Sequence, residues 1–132
     1  MVDVRKVFPN AFEDGWGPDV GYEDLYKQFG TPLVEVEIGS YQGDTLVALE
    51  KEGKYGYLTF GWGSCSGCDA LKACEDFDDL QELSDHLESS IRWFDSKEEL
   101  KKWINTHDWK GDYFSYSDEY DVIDFICKAN SI

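Results

Sequence analysis

Val34, Val36 and Ile38 alternate with Glu35 and Glu37, so this stretch has one apolar side and one charged side. A period of two is the period of a strand, and one of its faces must be covered. Gly43-Asp44 is read as a turn into Thr45–Glu50, and Lys51-Glu52-Gly53-Lys54 as a second turn into the aromatic stretch Tyr55–Trp62. Connections this short join antiparallel neighbours. The pattern predicts a three-stranded antiparallel meander over residues 33–62.

The cover for that sheet is helical. Leu80, Leu83, Leu87 and Ile91 are spaced by three and four residues, which predicts an amphipathic helix starting near Asp76. Ser96-Lys97-Glu98-Glu99 is a capping box, with Leu100, Trp103 and Ile104 on the buried face of the helix that follows. Ile91–Phe94 and Tyr113–Tyr116 are short candidate strands, and Asp118–Ala129 fits a helix slightly better than a strand. Residues 1–32 hold all three prolines and read as a loop-rich lead-in. Within it, Tyr22, Leu25, Tyr26 and Phe29 mark a short helix over Asp19–Phe29, stopped by Gly30 and Pro32. The expected fold is α+β: a small antiparallel sheet packed against two to three helices. Residues 1–132 form one domain, with a mainly helical half over 63–132.

Charge narrows the function classes. The chain carries 28 Asp+Glu against 12 Lys+Arg, a formal charge of −16. It also holds 5 Trp, 8 Tyr and 8 Phe, enough to bury a core, whereas acidic disordered chains are poor in aromatics. Direct binding to nucleic acid needs a basic patch, and adhesion to an anionic membrane needs the same. Neither is visible. No apolar run approaches the roughly 20 residues of a membrane span. The N-terminal Met-Val-Asp-Val-Arg-Lys lacks the apolar core of a secretory signal, so a cytoplasmic protein is expected. Four cysteines in that setting are free thiols or metal ligands before they are disulfides.

The cysteine segment is the most specific local feature: Phe60-Gly-Trp-Gly-Ser-Cys65-Ser-Gly-Cys68-Asp69, with Cys74 shortly after. Three readings apply. A C-x-x-C at a helix N-terminus lowers a thiol pKa and supports redox chemistry. The strand–CxxC–helix order is that of thioredoxin-like proteins, but those place a later proline beside the cysteines, and no proline follows Pro32. Asp69, Glu75 and Asp76 also oppose a thiolate. A structural zinc is the second reading, with Cys65, Cys68 and Cys74 as ligands and Cys127, His86 or His107 as the fourth. Third, small residues and thiols pack a tight bend.

The run Tyr55–Leu71, together with Ile91-Arg-Trp-Phe-Asp-Ser96, resembles a set of small acidic uncharacterised proteins of phages and bacterial genomes. Those proteins share a YGxLxFGxGSCSGCDAL-like segment. The likeness covers roughly residues 40–109. It implies a phage-like setting and no activity.

Acid is concentrated in the predicted helix. Eight acids and one base, Lys72, fall between Asp69 and Glu88. Asp76, Asp78, Asp79, Glu82, Asp85 and Glu88 are the candidate partner-binding residues. Side chains three or four apart on a helix lie about 5–6 Å from one another. Such a row can imitate the phosphates of a nucleic-acid strand and occupy a basic protein surface, for example that of a host nucleic-acid-binding protein. The competing reading is a solvated face that keeps the protein soluble. A second acidic cluster, Asp112, Asp118, Glu119, Asp121 and Asp124, is interleaved with aromatics. His86 and His107 read as surface or capping residues. There is no G-x-S-x-G, P-loop, H-E-x-x-H or G-x-G-x-x-G motif. The expectation is a non-catalytic interaction protein, with a zinc-stabilised or thiol-redox protein as the alternative.

Overall fold

In the computed structural model, the described residues are 2–15, 17–39, 42–63, 69–109 and 119–132. The hairpins of the meander are present. β1 (Thr31–Gly39), β2 (Gln42–Lys51) and β3 (Lys54–Gly63) run antiparallel in that order, and a short β4 (Arg92–Phe94) extends the sheet beyond β3. The class is α+β, and the sheet is open.

Glu52 and Gly53 form the two-residue loop between the paired Lys51 and Lys54, with φ of 53° and 82°. Positive φ at both positions is the type I′ geometry, which matches the twist of the flanking strands. The first turn lies elsewhere than the sequence suggests. Gly43 and Asp44 sit inside β2, paired with Gly39 and Ile38. Gly43 is needed there because a Cβ would collide with the Ile38 carbonyl oxygen. Pro32 is tolerated because β1 is an edge strand, and the register shifts between Pro32 and Val34.

β2 is buried on both faces. On one side, Val47, Leu49 and Leu58 pack with Val4, Leu25, Leu80 and Leu87. These come from α1 (Val4–Val7), α2 (Tyr22–Tyr26) and α3 (Phe77–Ser89). On the other side, Val34, Val36, Leu46, Ala48 and Tyr57 pack with Leu100, Ile104, Val122 and Phe125. These come from α4 (Lys97–Thr106) and α5 (Glu119–Ala129). The sheet is therefore the middle of three layers, covered among the described residues by five helices, where two or three are expected from the sequence. Over Glu119–Ala129 the helical reading holds, and Asp118 lies outside the described residues. The candidate strand Tyr113–Tyr116 lies outside the described residues.

Helix ends follow local chemistry. Asp76 caps α3 and accepts the Asp79 N–H at 2.9 Å. Ser96 caps α4 and accepts the Glu99 N–H at 3.2 Å. The return bond of that box goes one residue further back than the motif prescribes: Glu99 Oε2 accepts the Asp95 N–H at 3.0 Å. α2 is shorter than the predicted Asp19–Phe29 helix, and its start is fastened by the Gly21 N–H donating to Asp24 at 2.8 Å.

Candidate interaction surface

α3 presents its acids unequally. The inner side of the helix buries Leu80, Ser84 and Leu87. Opposite them lie Asp78, Glu82 and Asp85, with Asp78 and Glu82 exposed and Asp85 half-buried. Asp78 pairs with the Arg5 guanidinium at 3.1 Å, and Arg5 also lies over the Phe77 ring at 5.0 Å. Asp85 accepts from the Gln81 amide at 2.8 Å. The same amide nitrogen donates to Val2 O, and Gln81 Oε1 accepts the Val4 N–H, so Gln81 fastens the N-terminal segment to α3. Glu82 has neither hydrogen bond nor ion pair among the described residues.

The other acids of the predicted row have local work. Asp76 is the cap, and the Asp79 carboxylate accepts the Glu75 N–H at 3.0 Å. Each thereby satisfies an amide left over at the helix start. Glu88 is half-buried, with one carboxylate oxygen lacking a partner among the described residues.

Asp79, Glu82 and His86 meet Cys74 along one groove of about 510 Å³, floored by Ala70, Ala73 and Leu83. Cys74 is buried and its thiol lies 3.3 Å from the Ala70 carbonyl oxygen, to which it donates. Burial, and then the carboxylates of Asp79, Asp69, Asp76 and Glu82, push this thiol up to about 11. It is therefore protonated at neutral pH, which opposes a nucleophilic role at this position. Residues 69–74 form a single turn, with Ala73 N–H donating to Asp69 O and Cys74 N–H to Leu71 O. This is too short to supply the helix dipole that the redox reading requires. Cys65 and Cys68 lie outside the described residues, among which no three His, Cys, Asp or Glu side chains are grouped to hold a metal ion.

Asp69 is the residue that sequence reasoning undervalued. Its carboxylate is buried and accepts from Gly63 N–H, Leu71 N–H, Lys72 N–H and the Tyr22 hydroxyl, at 2.8 to 3.1 Å. The available signal was its place at the start of a turn, where an Asp side chain bonds backbone amides two and three residues on.

The remaining candidates fall apart in space. His107 ends α4 and stacks on Trp103 at 4.3 Å, on the opposite side of the sheet from α3. Of the second acidic cluster, Asp124 pairs with Lys128 at 3.0 Å, and Asp112 and Asp118 lie outside the described residues. Among the described residues no helix is long and apolar enough to cross a membrane. No family model, curated protein or solved structure matches the chain.

Proposed function

We propose that the chain is a non-catalytic interaction protein whose α3 face engages a basic protein surface. That surface would be one that a nucleic-acid-binding protein otherwise offers to phosphates. The observation that carries this reading is the outward stripe Asp78–Glu82–Asp85, against which the described residues set one cation, Arg5. Glu82 has no hydrogen bond or ion pair to give up among the described residues, and it borders a groove whose apolar floor suits the stem of a lysine or arginine. Carboxylates on a rigid helix compete for the Lys and Arg that would hold phosphates. Charge steering makes such association fast and sensitive to salt.

The test is capture of partners from a bacterial lysate at low and high salt. The variants are Glu82→Lys with Asp85→Lys, and Glu98→Lys as a control on α4. Retention of a nucleic-acid-binding protein at low salt, lost at high salt and lost in the double variant alone, supports the reading. A partner retained equally by both variants, or indifferent to salt, overturns it.

A further inference from the structure

α2 does not fill the sheet face beneath it. It leaves a cavity of about 300 Å³ bordered by Tyr22, Glu23 and Tyr26 from the helix and by Glu37, Phe60 and Trp62 from the strands. Tyr22 stacks on Phe60 with ring centroids 4.6 Å apart, and Tyr26 lies 6.0 Å from the same ring. Both tyrosine hydroxyls are already committed as donors, Tyr22 to Asp69 and Tyr26 to Glu35. What the cavity offers a visitor is therefore aromatic surface and carboxylate. Glu23 is held by Lys27 at 2.6 Å, and Asp69 by its four donors. Glu37 has no hydrogen bond or ion pair among the described residues, and no Lys, Arg or His is among the residues bordering the cavity.

We propose that this cavity binds one alkylammonium group, either the tip of a lysine side chain or a free alkylamine. An ammonium over aromatic rings is attracted by their quadrupoles, and more strongly where water is excluded. The Glu37 carboxylate supplies the matching charge. Anions are repelled by three lining carboxylates. The volume lies at the lower end for ligand sites, which fits a single aliphatic chain and not a nucleotide. The site uses α2 and the sheet, so it does not depend on the α3 stripe.

The test follows the indole N–H of Trp62 by ¹H–¹⁵N NMR, assigned by its loss in Trp62→Phe. This N–H is buried without an acceptor among the described residues, which makes it a local reporter. The probes are n-butylammonium, N-acetyl-lysinamide and the uncharged N-acetyl-norleucinamide. The proposal expects saturable shifts with one or both cations and none with norleucinamide. It expects Glu37→Gln to weaken binding about tenfold and Glu82→Lys with Asp85→Lys to leave it unchanged. Binding of butylammonium alone identifies a free amine as the occupant, and binding of both cations admits a lysine side chain. Equal binding of norleucinamide and lysinamide, no response to either cation, or an unaltered affinity in Glu37→Gln overturns it.

Discussion

Asp69 Oδ2 accepts the Gly63 N–H at 2.8 Å, so one carboxylate fastens the end of β3 to the turn that follows the cysteine segment. Its other oxygen holds the Leu71 and Lys72 amides and the Tyr22 hydroxyl. Asp69→Ala strands these donors in a buried place and should lower unfolding free energy by about 3–5 kcal/mol. Tyr22→Phe removes two bonds of that hydroxyl, its donation to Asp69 at 2.8 Å and the one it accepts from the Leu71 N–H at 3.2 Å, and should cost about 1–2 kcal/mol. Urea denaturation of both single variants and the double variant checks this. The double variant should cost less than the sum of the two single variants, because the bond between Asp69 and Tyr22 is lost in both.

The β2–β3 turn holds Glu52 at φ 53°, a region that a residue with an ordinary side chain enters at a cost of roughly 1–2 kcal/mol. Glu52→Asn supplies the Asn-Gly pair that type I′ turns favour. It should stabilise the protein by about 0.5–1 kcal/mol, read as a higher urea midpoint at unchanged slope. Glu52→Val should shift the midpoint the other way.

Gly56 on β3 pairs with Trp93 on β4. A Cβ at Gly56 would sit 2.8 Å from Ile91 Cγ2 and 3.0 Å from the Trp93 ring. Gly56→Ala should therefore destabilise by about 1–3 kcal/mol, through displacement of β4, despite the better strand propensity of alanine. Combining it with Trp93→Ala should recover part of the loss in a thermal melt.

The Cys74 thiol is lifted from an ordinary 9.0 to about 11, first by burial and then by the acids around it. A folded value above the unfolded one means that this group contributes stability below about pH 9, and that the contribution is lost as pH rises through about 11. At pH 8 its thiolate population should be about a hundredfold below that of the unfolded chain. Iodoacetamide labelling with peptide mapping should then mark the exposed Cys127 well before Cys74, with Cys74 labelling accelerating towards pH 11. A zinc held with Cys65 and Cys68 would instead protect Cys74 at every pH until a chelator is added. The chelator arm separates the two cases.

Local signals were the readable ones. The leucine spacing and Asp76 located α3, and Lys51–Lys54 located the second hairpin, because each rests on neighbours within a turn of chain. The unbroken apolar run Leu46-Val47-Ala48-Leu49 carried the sign of a strand covered on both faces, yet which helices cover it depends on contacts across the whole chain. α1 has four residues, too few for any periodicity, and is held by the Asp3 cap and by Gln81. The acid row looked uniform in sequence. Folding sorted it into caps, an ion pair and Glu82, which is unengaged among the described residues, a distinction set by backbone geometry and not by residue type. The cavity under α2 joins Glu37, Phe60 and Asp69, which no local pattern relates.

β2 lies between two helical layers, and the layer on its Val47 side is closed by a bond between Val4 and Gln81, 77 positions apart. Each hairpin joins adjacent stretches of chain. The two faces are covered by different segments, α1 to α3 on one side and α4 and α5 on the other. The amides of Val47 and Ala48, at the centre of both contacts, should therefore exchange with solvent only when the whole molecule opens, whereas those of α1 should exchange through local fraying.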